Sequence, residues 1–253
     1  MARNGVLVVT GGSRGIGAAT SLLAAERGWA VVVNYAGNVA AAEAVVSHIR
    51  KAGGEAIAVR GDVSQPEDVE HIFAAADRIG VLTGLVNNAG IILPAQRVDE
   101  MNAERLARGF AVNVTGSFLC AGAAVRRMSS KFGGKGGAIV NLSSGASKLG
   151  GANVYVDYAA SKGAIDSFTV GLALEVAGDG IRVNAVRPGV IDTEIHASTG
   201  DPGRVQRMAA SLPMARAGTA QEVARAVLWL LSDEASYSTG TTITVSGGRA
   251  IVP

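Results

Sequence analysis

Two side chains one helical turn apart carry the clearest chemistry in this chain. They are Tyr158 and Lys162, within Tyr155-Val156-Asp157-Tyr158-Ala159-Ala160-Ser161-Lys162. On a helix, residues four apart share a face, so a phenol and an ammonium would meet. Ile165, Thr169 and Leu172 continue the stripe and turn that face inward. A lysine there needs a reason, because burying an ammonium is expensive. Bringing a tyrosine from a pKa near 10 to about 7 takes roughly 4 kcal/mol of phenolate stabilisation. One cation about 4 Å away, at an effective dielectric near 20, supplies about that much. Tyr158 would then exchange a proton with a substrate oxygen. Tyr155 is a decoy, since its fourth neighbour is Ala159. Alone, the pair also fits a packed tyrosine beside a snorkelling lysine, so other polar groups must gather around it.

Three further polar positions supply that company. The apolar run at 138–142 leads into Ser143-Ser144, placing hydroxyls at the C-terminal edge of a strand, the rim where open α/β sheets bind ligands. Asn87-Asn88-Ala89-Gly90 follows another such run. Asn113 lies inside an apolar helical stretch, where its amide must find partners. Each has a plain use as a cap or a satisfied core group. Together on one rim they favour a site.

A second kind of chemistry is written near the N-terminus, in Thr10-Gly11-Gly12-Ser13-Arg14-Gly15-Ile16-Gly17. A strand, a glycine turn and a helix form a natural pyrophosphate site: the helix start offers unpaired N–H groups, and glycines let the phosphates approach. The spacing Gly11-x-x-x-Gly15-x-Gly17 differs from the common G-x-G-x-x-G, and its position in a βαβ unit is what lifts it. The end of the second strand reads Val33-Asn34-Tyr35-Ala36-Gly37-Asn38, without the acid that holds a ribose 2′-hydroxyl in NAD enzymes. Arg14 in the turn could pair with a 2′-phosphate. NADP is therefore favoured over NAD.

These residues need a scaffold, and the alternation of elements names it. Val/Ile-rich runs at 5–10, 30–34, 56–60, 84–86, 138–142, 181–186 and 241–245 read as strands buried on both faces. Helical patterns cover 18–27, 39–52, 101–128, 156–177 and 219–231, and Ser64 before Pro66, Glu67 and Asp68 reads as a further helix cap. The expected fold is a single α/β domain over 1–253, Rossmann-like and doubly wound, with about seven parallel strands and helices on both faces. Residues 192–216 have weak periodicity, with Pro202, Gly203 and Pro213, and a substrate lid is expected around 190–216. Leu149, Val154, Ile195, Met208, Leu212 and Met214 give rim and lid an apolar character.

Composition excludes several other classes. With 23 Lys+Arg against 21 Asp+Glu, a net charge of +2 is too balanced for a nucleic-acid surface. No uncharged apolar run approaches 18 residues, so no membrane span is expected. The one cysteine, Cys120, cannot form an internal disulfide, which fits a reducing, cytoplasmic setting. His48, His71 and His196 show no ligand spacing, so no metal is expected.

The ordered set of motifs resembles the short-chain dehydrogenase/reductase (SDR) family. It comprises Thr10-Gly-x-x-x-Gly15-x-Gly17, Asp62-Val63, Asn87-Asn-Ala-Gly90, Asn113, Ser143-Ser144, Tyr158-x-x-x-Lys162, Asn184, and Pro188-Gly189 with Thr193. The resemblance implies a tetrad of Asn113, Ser144, Tyr158 and Lys162. In it Ser144 holds the substrate oxygen and Tyr158 is the general acid or base. Lys162 holds the nicotinamide ribose and lowers the Tyr158 pKa, and Asn113 anchors a proton-relaying water. It implies cofactor contacts from Gly11, Ser13, Arg14, Gly15, Ile16, Gly17 and Asn34, adenine contacts from Asp62 and Val63, and a cleft lined by Asn88, Ala89 and Gly90. Pro188, Gly189, Val190, Ile191 and Thr193 are further implied cofactor contacts, and Val190–Thr193 resemble the segment that meets the carboxamide. It also implies a homotetramer built on the helices that hold Asn113 and Tyr158. Choosing Ser144 over Ser143 rests on motif alignment, and the Ser144–Tyr158 interval is slightly longer than usual. The expected function is an NADP-dependent oxidoreductase interconverting a carbonyl and an alcohol. A 3-oxoacyl-carrier-protein reductase and a glucose or polyol dehydrogenase are the alternatives within the family. The rival from another class is a catalytically silent dinucleotide-binding regulator.

Overall fold

The computed structural model describes residues 4–193 and 203–250. Seven parallel strands form one sheet: β1 (Val6–Val9), β2 (Ala30–Tyr35), β3 (Glu55–Arg60), β4 (Leu82–Asn87), β5 (Gly137–Leu142), β6 (Ile181–Pro188) and β7 (Thr242–Val245). Their order is β3-β2-β1-β4-β5-β6-β7, the doubly wound arrangement expected. The order reverses between β1 and β4, which opens a crevice at their C-terminal ends.

The strands are apolar at successive positions because both faces are covered. Val6 and Val8 of β1 belong to one core with Val69, Ile72 and Phe73, while Leu7 and Val9 belong to the other with Val45, Val46 and Ile49. The period-two alternation of a strand sends neighbours to opposite faces. The first core packs under α3 (Pro66–Ile79), α5 (Gly116–Met128) and α7 (Val156–Val176). The second packs under α1 (Gly15–Glu26), α2 (Val39–Lys51) and α9 (Ala220–Leu231).

Three local readings change. The single helix expected over 101–128 is divided into α4 (Ala103–Phe110), a π turn (Ala111–Thr115) and α5. A short helix, α6 (Ala146–Leu149), stands in the loop after β5, and α8 (Arg204–Ala209) stands within the expected lid. Ser64 does not cap α3. The cap position is Gln65, and the Ser64 hydroxyl instead donates to Asp62 Oδ1 at 2.7 Å. The lid residues 194–202, including Ile195 and His196, lie outside the described residues.

Candidate active site

The glycine turn is held by side chains that leave its outer surface to the backbone. Thr10 Oγ1 accepts from the amides of Asn88 and Ala89, both at 3.0 Å. Asn88 Nδ2 donates back to the carbonyls of Thr10 at 2.9 Å and Gly11 at 3.0 Å. Asn34, fully buried, accepts from the Gly11 amide at 3.2 Å and donates to Gly61 O at 3.0 Å, so its side chain buttresses the turn from beneath. A Cβ on Gly17 would collide with the Gly11 carbonyl and come within 2.6 Å of Asn88 Nδ2. Arg14 is the N-cap of α1, and its side chain makes no cap hydrogen bond to the first turn. The amides of Gly15, Ile16 and Gly17 therefore keep their donors for an anion, which fits a pyrophosphate. Ser13 is partly exposed and Arg14 exposed on this turn.

At the end of β3 the carboxylate of Asp62 accepts from Ser64 and pairs with Arg108 at 3.2 Å. Val63 packs so closely on Gly116 that a Cβ there would sit 2.6 Å from Val63 Cγ2. Arg60, which sequence reasoning passed over, donates Nε to the Ala36 carbonyl at 3.3 Å and so lies across the end of β2.

A cavity of about 320 Å³ opens at the C-terminal ends of β5 and β6. Among the residues expected from sequence it gathers Tyr158, Lys162, Ser144, Asn88 and Gly90, with Ile16 from the glycine turn. Pro188, Gly189, Val190, Ile191 and Thr193 line its opposite side. Thr193 also approaches the turn, its methyl lying 3.3 Å from where a Gly15 Cβ would stand. Gly11, Gly17, Ala89, Asn34, Asp62 and Val63 do not line this cavity.

Within it, the Ser144 hydroxyl faces the Tyr158 phenol closely enough to pull its pKa down. Lys162 is buried, with Nζ donating to the Leu142 carbonyl at 2.7 Å and lying 5.7 Å from the centre of the Tyr158 ring. Ser143 is oriented differently, since its hydroxyl donates to the Lys162 carbonyl at 3.3 Å. Tyr155 packs edge-on against Tyr158 with ring centres 5.8 Å apart.

Asn113 sits in the π turn, where an extra residue per turn re-aims a side chain without ending the helix. Its amide exchanges bonds with the backbone of Ile91, at 2.8 and 3.0 Å, and donates to Ser161 Oγ at 3.2 Å. Gly90 lies between it and the lysine: a Cβ there would stand 3.3 Å from Asn113 Oδ1 and 3.6 Å from Lys162 Nζ.

Burial dominates the titration of both central groups. It pushes Tyr158 up to about 12, against the Ser144 hydroxyl, which pulls down. It pushes Lys162 down to about 8, against the carboxylate of Asp166. The neutral-range phenol expected from sequence is thus not what the chain's own groups produce. The reason is that desolvation acts on the whole phenolate, while the cation stands near the ring face. At neutral pH the phenol keeps its proton and the amine its charge.

A partly buried ion pair braces this cavity from behind. Arg187 pairs with Asp166 at 2.8 Å, and its guanidinium also donates to Ser147 Oγ at 3.1 Å and Thr244 Oγ1 at 3.3 Å. Ser147 in turn donates to the Ser144 carbonyl at 2.9 Å. One guanidinium thereby ties α7, α6 and β7 together one turn beyond Lys162. No sequence pattern flagged it, because its partners are remote in the chain. The long 144–158 interval is taken up by α6 and a glycine turn, with Asn153 at φ +60. Among the described residues no three His, Cys, Asp or Glu side chains gather as a metal site.

A family profile described as Enoyl-(Acyl carrier protein) reductase matches residues 11–250. The oxidoreductase YgfF of Escherichia coli is 55% identical over 96% of this chain and 99% of its own length. The chain belongs to the short-chain dehydrogenase/reductase family. As an SDR it is an oxidoreductase, and a nicotinamide dinucleotide is that family's cofactor class. Glucose 1-dehydrogenase 2 of Bacillus subtilis is 38% identical over 97% of this chain and 95% of its own. A short-chain dehydrogenase from Burkholderia cenocepacia, solved in complex with NADP, superposes with a TM-score of 0.90 at 32% identity, covering 99% of both chains. The SDR fold expected from sequence is the fold observed.

Proposed function

We propose that this SDR interconverts a carbonyl and an alcohol using NADP, with Tyr158 as the general acid or base. The observation that carries the reading is the convergence of the Tyr158 phenol, the Ser144 hydroxyl and the Lys162 ammonium on one cavity beside the glycine turn. When bound, the nicotinamide supplies or accepts the hydride. Ser144 orients the substrate oxygen, and Tyr158 gives that oxygen a proton in reduction or takes one in oxidation. Lys162, fixed by the Leu142 carbonyl, stabilises negative charge on the phenol oxygen and would hold the nicotinamide ribose. Asn113 fixes the Ile91 backbone across Gly90 from the ammonium, a position suited to its expected role in proton relay.

The chain's own residues support NADP over NAD. No carboxylate stands in Tyr35-Ala36-Gly37-Asn38, while Arg14 at the turn and Arg60 across the end of β2 bring two cations to that edge. The NADP complex of the Burkholderia cenocepacia relative points the same way. The apolar rim residues Leu149, Val154 and Met208 line the cavity, in keeping with a lid over 190–216. An apolar groove between α5 and α7 holds Phe118 stacked on Phe168 at 3.8 Å, with Val170 and Leu174 exposed nearby, which supports a homotetramer formed through these helices. The free, buried Cys120 suits a cytoplasmic enzyme.

A panel of carbonyl and alcohol compounds, followed by nicotinamide absorbance with both cofactors, tests the reading. Turnover of a ketone or alcohol is expected. Cofactor binding with no turnover on any compound would restore the silent regulator.

A further inference from the structure

Among the described residues, those lining the Tyr158 cavity include no Asp or Glu and two cations, Lys162 and Arg249. Lys162 is buried and bonded to the Leu142 carbonyl, but Arg249 is partly exposed at the rim. Among the described residues, its guanidinium makes no hydrogen bond or ion pair.

Its placement is nonetheless defined by the backbone. The Arg249 amide donates to Ser246 O at 3.2 Å, and the Ala250 amide to Ser246 Oγ at 3.3 Å. Ser246 lies against Gly189, where an added Cβ would meet its Cα at 2.6 Å. Ala250 lies against Gly145, where an added Cβ would meet its own at 3.0 Å. The segment that carries Arg249 is therefore pinned to the backbone next to Ser144 and Pro188. Facing the cavity from the other walls are the apolar side chains Ile92, Leu149, Val154 and Met208.

A guanidinium with no hydrogen bond or ion pair, beside a largely apolar cavity with no carboxylate among the described residues that line it, is a receptor for an anion. We infer that the substrate is a carboxylate-bearing oxo or hydroxy compound. Its apolar body fills the cavity, its oxygen meets Ser144 and Tyr158, and its carboxylate pairs with Arg249. One cation matches a monoanionic carboxylate better than a phosphate dianion, which would call for a second. The inference rests on the redox reading of this same cavity.

The test uses the full chain with NADPH and a series of oxo acids that begins with 5-oxohexanoate, each paired with its neutral methyl ester. The acids are expected to exceed their esters in kcat/KM by about 10- to 100-fold, the span of a charged hydrogen bond. Arg249→Gln should bring that ratio close to one, and Arg249→Lys should keep part of it. A wild-type ratio near one, or a ratio unchanged in Arg249→Gln, overturns the assignment while esters still reduced leave the redox reading standing. Calorimetry with hexanoate gives a readout that needs no turnover. Binding lost in Arg249→Gln upholds the assignment even where no ketone is reduced, and in that case only the redox reading fails. Absent binding, or binding that the substitution does not change, overturns it.

Discussion

Lys162 Nζ stands 5.7 Å from the centre of the Tyr158 ring, and both groups are displaced from their ordinary titration by burial, the phenol up to about 12 and the amine down to about 8. The two shifts have opposite consequences for the two directions of one reaction. Carbonyl reduction needs the protonated phenol, present below about 12, and the charged amine, present below about 8. Reductive kcat/KM should therefore be level through neutral pH and fall above about 8. Alcohol oxidation needs the phenolate, so its kcat/KM should climb by about tenfold per pH unit through the neutral range. Initial rates across pH in both directions check this, and a pH-independent oxidation would contradict it.

The 2′-phosphate preference has its own test. Arg14 caps α1 without a side-chain bond to the first turn, and no acid occupies the end of β2. NADPH should bind more tightly than NADH. Because Arg14 is exposed, Arg14→Ala should erode that preference by about tenfold, the low end for a charged hydrogen bond. Fluorescence titration with both cofactors measures it, and equal wild-type affinities would retire the preference.

Arg187 offers a way to separate stability from positioning. Removing one partner of a buried pair costs about 3–5 kcal/mol, because the other charge is left uncompensated. Arg187→Met should strand Asp166 and lower Tm by on the order of 10 °C. Adding Asp166→Leu removes the stranded charge and should restore most of the stability. Activity should stay low in the double variant, because Ser147 and the Ser144 backbone have lost their anchor. Calorimetry with steady-state kinetics reads both, and full recovery of kcat in the double variant would show that the clamp serves stability alone.

The groove between α5 and α7 gives a prediction in solution. Leu174 is 80% exposed and Phe118 50%. A paired Phe118→Glu, Leu174→Glu variant should shift a wild-type tetramer to smaller species in sedimentation velocity. A wild-type monomer would contradict the assembly.

What could be read from the sequence was what repeats locally. The Tyr158–Lys162 spacing, the glycine turn after β1 and the Val/Ile runs each follow from one backbone period, and the structure places them where that period puts them. Asn113 was legible as a misplaced polar residue, but not the π turn that aims it, since helical periodicity continues through Ala111–Thr115. Asn34 was legible as a missing acid and, by resemblance, as a cofactor contact. Its part in tying Gly11 to Gly61 depends on strand pairing. Arg187 and Arg249 were illegible because their surroundings come from segments remote in the chain. The Tyr158 pKa was misjudged for a related reason: spacing shows the nearby cation but not the depth of burial.

Whether the Tyr158 hydroxyl passes the proton that accompanies hydride transfer is decided by Tyr158→Phe in a single-turnover experiment on preloaded NADPH. The substitution removes one oxygen and leaves the ring packed against Tyr155 and Lys162. The rate of nicotinamide oxidation should fall by about 10²- to 10⁴-fold, with NADPH affinity nearly unchanged. A rate within a few-fold of wild type would place the proton donor elsewhere.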